Sequence, residues 1–322
     1  MKRLSVIYTG WGEHWTLGEL ADNGRQLLFE YSPAALRQGL ELSPLHLKLR
    51  EQAYGGFPDF QMRLPGLIAD SLPDGWGLLM MDKLFRRRGL DPARLSPLDR
   101  LAFVSGRAMG ALAFEPAETE LLDKTDVTLL ELARQVREVI AGGSTEVLRR
   151  LALMGGSPHG ARPKVLVSFD PATGCVSGDP LGPGSPWLVK FQAETEHKEV
   201  CAIEAMYAAL ARECGIEMPA TRHFNLDRKL AAFGVERFDR RDGLRVPMHT
   251  VAGALNANFR LPSAVDYTSL LRLVRHMTRD EREVLKEDGS TEWKFACPSP
   301  PHRGGSTRRG RPAAGAPLHL GG

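Results

Sequence analysis

A glycine-rich turn, GGSPHGARPK at residues 155–164, runs straight into the apolar segment VLVSF, and the chain beyond it switches between two periodicities. VLVSF stops at the turn signal DPATG, so it reads as a strand. PWLVKF, closing on Lys190 and Phe191, reads as a second strand. From Glu194 to Gly215 the spacing becomes helical, with an apolar stripe at Val200, Ile203, Tyr207, Leu210, Ala211 and Cys214 and a glycine stop. LAAFGVERFDR then reads as a third strand.

Several residues in this stretch carry chemistry. Glycines let backbone amides approach an anion closely, and Lys164 at the end of the loop adds a point charge suited to phosphate. The spacing is not that of a Walker loop: Gly155 and Gly160 are correctly separated, but Ala161 stands where the lysine belongs. An ordinary turn between helix and strand is the plain alternative. Lys190 lies between Val189 and Phe191, and a lysine there either faces solvent on an edge strand or meets an anion. Glu204 falls beside Ile203 and Tyr207 and one turn from Val200, near the apolar stripe, where a carboxylate needs a cation. Glu196 projects onto the same helix face, but its place at the helix start is explained by the dipole. In the small lobe of protein kinases this order of elements sets a Lys–Glu pair on the α- and β-phosphates of ATP.

Ahead of the loop, to about Glu115, the segments LSVIYTG, WTLGELAD and RQLLFEYS read as strands joined by tight turns, and a helix runs from Trp76 to Leu84 before Gly89. A helix over 121–140 follows, with Asp126 as N-cap and Gly142 and Gly143 ending it. After Gly243, PMHTVAGALNANFRLPS reads as irregular or partly helical, and DYTSLLRLVRHMTRDEREVL as helical to about Leu285. From Glu287 the periodicity stops, and the Gly-, Pro- and Arg-rich remainder is too poor in apolar residues to order itself, so 287–322 is expected to be disordered. Five of the 42 Lys and Arg, and none of the 39 Asp and Glu, lie from Trp293 onward, so the net charge of +3 becomes −2 for the body, which gives no warrant for a nucleic-acid surface there. No apolar run approaches the roughly 18 residues of a membrane helix, and the start does not read as a signal peptide, so a cytoplasmic protein without membrane partners is expected. Cys175, Cys201, Cys214 and Cys297 show no paired spacing and read as free thiols, with no zinc or other metal site expected.

Over about residues 1–285 the chain resembles the HipA family of bacterial toxin–antitoxin serine/threonine kinases. The first part is similar to the family's N-terminal subdomain through LGEL, FEYSP, LSP, LPGLIADSLPDGWG and LDRLAFVSGRAMGAL, and the second part matches through GGSPHGARPKVLV, WLVKF, IEAMYAALARECGIEMP and VERFDR. The resemblance implies an α+β, protein-kinase-type fold: a β-rich subdomain at 1–116, a connecting helical segment at 117–152, and a kinase small lobe with the start of the large lobe at 153–286. It implies ATP and Mg²⁺ as cofactors, His159, Gly160, Ala161, Arg162 and Lys164 in the nucleotide-binding loop, and Lys190 as the phosphate-contacting lysine with Glu204 as its partner. Glu236, Arg237 and Phe238 would meet the adenine, and Ser157 stands where family members carry a serine whose autophosphorylation ejects the loop. The partners it implies are a HipB-like helix-turn-helix antitoxin, operator DNA mainly through that antitoxin, and a translation-related protein substrate such as an aminoacyl-tRNA synthetase.

The chain also departs from the family. Phosphoryl transfer needs a base aspartate and an Asn and an Asp for Mg²⁺, which the family supplies in a segment resembling N-x-D-D-H-x-K-N followed by D-x-[ST], and neither occurs in the 322 residues. NLDRK at Asn225 precedes the VERFDR strand and sits on the wrong side of the hinge, while TRDERE and KEDGS lack Asn and His. No catalytic residue or metal ligand is identifiable, and most of the large lobe is missing. A reading frame lost near Lys286 accounts for both, with a genuine flexible basic tail as the alternative. The expected function is therefore a toxin-type kinase inactive in this chain, or a non-catalytic remnant that binds antitoxin or nucleotide.

Overall fold

The computed structural model describes residues 2–117, 128–140, 142–179 and 182–277. The 287–322 tail, the Asp126 N-cap, Cys297 and the helix beyond Met277 lie outside them. The first part opens with β1 (Lys2–Tyr8), β2 (Trp15–Asp22) and β3 (Leu27–Tyr31), paired antiparallel. Their alternation sets Leu4, Val6 and Tyr8, Leu20, and Phe29 on a buried face. Helix α1 (Pro33–Gln38), capped by Ser32 and closed by Gly39, leads to the short β4 (Ala53–Tyr54). Helices α2 (Gly66–Ala69), α3 (Gly75–Arg87) and α4 (Pro97–Val104) come before the closing strand β5 (Leu112–Glu115), giving the order β4-β3-β2-β1-β5. Trp76, Met80, Met81, Leu84 and Phe85 of α3 are buried at helical spacing, as the sequence predicts.

Two helices join the parts, α5 (Leu129–Ile140) and α6 (Thr145–Met154). The glycines at 142 and 143 do end the first, but the chain then starts a second helix, N-capped by Ser144, which packs on α3 and on the second sheet.

The second sheet is antiparallel, with the order β7-β6-β8-β10-β9. Its strands are β6 (Lys164–Phe169), β7 (Val176–Ser177), β8 (Ser185–Phe191), β9 (Thr221–Asn225) and β10 (Ala231–Glu236). The edge strand β9, TRHFN, is polar and carries no apolar run that would announce it. Trp187, Val189, Phe191 and Ala232 join one continuous core with the first part, while Ala231, Phe233 and Val235 face the other way, under α7 (Glu199–Glu213). Gly234 is required between them, since a Cβ there would lie 2.8 Å from the Phe224 ring.

The rotation of α7 corrects the sequence reading. Cys201 and Ala208 are buried, whereas Ile203, Tyr207 and Leu210 of the expected stripe are 47%, 65% and 44% exposed, and Cys214 is exposed too. The small residues Cys201, Ala205 and Ala208 let the helix lie close over Phe233 and Val235. Cys175, Cys201 and Cys214 are free thiols.

The chain returns to the first part through β11 (Arg240–Arg241), β12 (Leu244–Arg245), α8 (Val251–Leu255) and α9 (Tyr267–Met277). Asp239, fully buried, accepts from Gly110 N at 2.8 Å, Arg237 Nε at 2.9 Å and Arg240 Nη1 at 2.7 Å. Burial pushes its carboxyl up, and Arg237, Arg240 and the Gly110 amide outweigh that and hold it below the usual carboxylate range. Arg245 donates to the carbonyls of Gly110 at 2.9 Å and Leu112 at 2.8 Å. Asp70 makes a second junction, accepting from His249 Nδ1 and from Thr250 N and Oγ1, each at 2.7 Å. His249 Nε2 lies 3.1 Å from Ser43 Oγ, but Ser43 is only 3% exposed, so this Ser–His–Asp line is a staple between the parts rather than an open nucleophile. Among the described residues, no helix is long and apolar enough to cross a membrane.

Candidate functional site

Antiparallel register sets Lys190 of β8 directly opposite Lys164 of β6, with its side chain on the face that α7 covers. Lys190 Nζ lies 3.0 Å from Glu204 Oε2 and 5.8 Å from the Phe233 ring centroid. Of the two alternatives for this lysine, the ion pair is the one formed. Glu204 Oε1 accepts from Arg162 Nη1 at 2.6 Å, and Arg162 reaches Glu196 Oε1 with Nη2 at 2.9 Å and Nε at 3.0 Å. Glu196, explained from sequence by the helix dipole, is thus the second carboxylate of the cluster, and its Oε2 accepts from Ala193 N at 2.9 Å. That amide first, then Arg162, holds Glu196 below the usual range. Burial opposes the charge on Arg162, and its bonds to Glu196 and Glu204 more than offset this, raising its pKa. The Lys190 and Glu204 side chains remain about a quarter exposed, at 26% and 23%, so the cluster opens to solvent.

The glycine-rich loop lies folded over this cluster and against α3. Ser157 is buried, with Oγ accepting from Met109 N at 2.7 Å. The His159 ring stacks on Phe259 at 6.0 Å, and its Nε2 lies 3.0 Å from Leu72 O. Lys164, only 3% exposed, donates to the His159 carbonyl; burial first, and then the charge of Lys190, lower its pKa to about 8. Gly160 N donates to Asp74 Oδ1 at 2.5 Å, and Gly160 O accepts from Trp76 N at 3.1 Å. Asp74 is a site residue that sequence reasoning missed. In LPDGWG its Asp–Gly pair signals only a turn, and nothing local says that its carboxylate meets a loop 86 residues on.

The remaining expected residues are dispersed. Ala161 is exposed on the loop. Glu236 ends β10, bonding Ala220 O through its amide at 2.8 Å, and Phe238 is half-buried. The Arg237 side chain leaves the site for Asp239. Lys190, Arg162 and Lys164 are balanced by Glu204, Glu196 and Asp74 when all are ionised, and three cations beside a glycine loop are groups of the kind that hold a phosphate.

Fold and site together define the class: a two-part α+β protein whose second part is the small lobe of a protein-kinase-type fold. The family comparison narrows it, with residues 10–115 matching the HipA N-terminal domain and residues 156–295 the HipA-like C-terminal domain. The chain belongs to the HipA family. The second match runs past Glu287, where the sequence pattern breaks. Sixteen solved chains are similar, among them one from the Shewanella oneidensis MR-1 toxin–antitoxin complex of HipA, HipB and its operator DNA. That one is 20% identical, has a TM-score of 0.52, and is matched over 84% of this chain and 64% of its own, so the present chain spans less than two thirds of its length. No curated protein sequence matches.

Proposed function

We propose that this chain binds ATP at the Lys190–Glu204 pair, as a toxin-type serine/threonine kinase of the HipA family that is inactive in these 322 residues. The observation that carries the reading is the 3.0 Å Lys190–Glu204 contact beneath a glycine-rich loop. Lys190 would hold the α- and β-phosphates, Glu204 would orient it, the amides of the Gly160–Lys164 loop would cradle the phosphates, and the Glu236–Phe238 backbone would border the adenine. The acceptor would be a serine or threonine on a translation-related protein, such as an aminoacyl-tRNA synthetase. The partner would be a HipB-like helix-turn-helix antitoxin in the cytoplasm, contacting operator DNA on behalf of the complex. The similar Shewanella oneidensis HipA is in complex with HipB and its operator DNA, which supports that partnership.

No Mg²⁺ ligand is identifiable among the described residues. Among the described residues no group of three or more His, Cys, Asp and Glu is placed to hold a metal ion, and the 322 residues contain no N-x-D-D-H-x-K-N segment. This favours a second reading, a non-catalytic protein that binds nucleotide or antitoxin.

Isothermal titration of the 322-residue chain with ATP tests the shared core of both readings. Wild type is expected to bind in the high micromolar range, and Lys190→Ala to bind at least about tenfold more weakly. Equal affinities would return Lys190 to a structural role. Radiolabelled phosphoryl transfer in the same samples separates kinase from binding protein.

A further inference from the structure

Asp74 stands at the N-cap of α3 and caps nothing there. Its backbone is extended, at φ −116° and ψ −172°, yet its side chain makes no bond to the first-turn amides of its own helix, although such a bond is worth about 1 kcal/mol. The carboxylate crosses instead to the glycine-rich loop and takes the Gly160 amide at 2.5 Å. Two more bonds hold the loop on the start of α3 and the turn ahead of it, from Trp76 N to Gly160 O at 3.1 Å and between His159 Nε2 and Leu72 O at 3.0 Å. The approach is backbone against backbone, since a Cβ on Gly75, itself at φ +43°, would lie 2.5 Å from Gly160 O. Asp74 also lies within electrostatic reach of Lys164, whose charge it favours. The carboxylate therefore takes a loop amide and lies in the field of a buried ammonium that is itself bonded to the His159 carbonyl, and an amide and an ammonium are the two kinds of group that a glycine-rich loop offers a phosphate.

We propose that the Asp74 carboxylate occupies a phosphate position on the glycine-rich loop, that a nucleotide must displace it, and that nucleotide binding thereby frees the loop from α3. This inference rests on the nucleotide reading above and adds its regulation. Asp74 opposes nucleotide twice, by filling the amide and by repelling phosphate charge. Because it belongs to the first part, whatever steadies α3 weakens nucleotide binding, and nucleotide loosens α3 to the same degree.

Two substitutions separate charge from shape. Asp74→Asn keeps an acceptor oxygen for Gly160 N and loses the charge, while Asp74→Ala loses both. Titrations with ATP and with inorganic pyrophosphate, run beside Lys190→Ala, are expected to show Asp74→Asn binding both about three- to tenfold more tightly than wild type at low salt, with the gain shrinking at 1 M salt. Saturating ATP is expected to speed hydrogen exchange at the Trp76 amide of wild type, as its bond to Gly160 O is released. Asp74→Ala should show that faster exchange without ATP. If Lys190→Ala abolishes binding while Asp74→Asn binds no more tightly than wild type, the displacement proposal is overturned and the nucleotide reading stands. If Lys190→Ala binds as wild type does, the nucleotide reading falls and takes this one with it.

Discussion

Lys164 shows at a single residue how the site is tuned. It is buried directly opposite another lysine, and its pKa of about 8 lies below the 10.5 of a free side chain. Between those values the unfolded chain holds a proton that the folded chain has released, so this residue's contribution to stability rises with pH across about 8 to 10.5 and is at its most unfavourable below 8. Lys164→Met removes that penalty and leaves the His159 carbonyl without its donor, for a net gain of about 1–2 kcal/mol at pH 7. In urea denaturation the advantage of the variant over wild type should shrink as pH is raised from 7 to 10. A difference that does not change with pH would show that Lys164 is not buried as a charge. Anion binding favours the protonated lysine, so ATP affinity should fall as pH rises through about 8 in wild type, and less in Lys164→Met.

At the scale of the element, α7 shows what periodicity can and cannot locate. Apolar spacing marks a face, but here the face packed on the sheet is the one with small residues, Cys201 and Ala208, while Ile203, Met206, Tyr207 and Leu210 are exposed. Glu204 was nevertheless legible, because it lies between the expected and the observed faces. Ile203→Ser and Tyr207→Ser should each change stability by no more than about 0.5 kcal/mol. Ala208→Asp, which buries an unpaired charge against Phe233 and Val235, should cost several times as much. Chemical denaturation gives the ranking, and the opposite order would restore the stripe read from sequence.

Across the whole molecule, the two parts are joined by a continuous apolar core and by the buried junction at Asp239. Three guanidiniums, Arg237, Arg240 and Arg245, surround the single carboxylate; burial first, against the pull of Asp239, lowers Arg240 to about 9 and Arg245 to about 10, and both stay charged at neutral pH. Asp239→Ala leaves those charges uncompensated and should cost about 3–5 kcal/mol. The carboxyl pKa is depressed, so its stabilisation is complete above the unfolded value of 3.8 and is lost as pH falls through the lower folded value. Wild type should therefore show acid destabilisation below about pH 4 that Asp239→Asn lacks. Calorimetry should give one transition for wild type, because a shared core unfolds as a unit. Two separated transitions in wild type would mean that the junction does not couple the parts.

The sequence by itself determined what is local: strands from alternation, the α3 face from its period, the glycine-rich loop from its composition, and Lys190 and Glu204 from a charge placed beside apolar neighbours. Tertiary structure decided the rest. The rotation of α7 depends on what lies under it, the polar edge strand β9 exists because β10 is there to pair with, and Glu196 joins the cluster because Arg162 reaches it. Arg237 is drawn from the expected adenine segment to Asp239, which also binds Gly110, 129 residues away. Asp74 meets its loop across 86 residues. Periodicity and composition report on neighbours within a few turns of chain, whereas a carboxylate's partner is whichever donor folding brings to it.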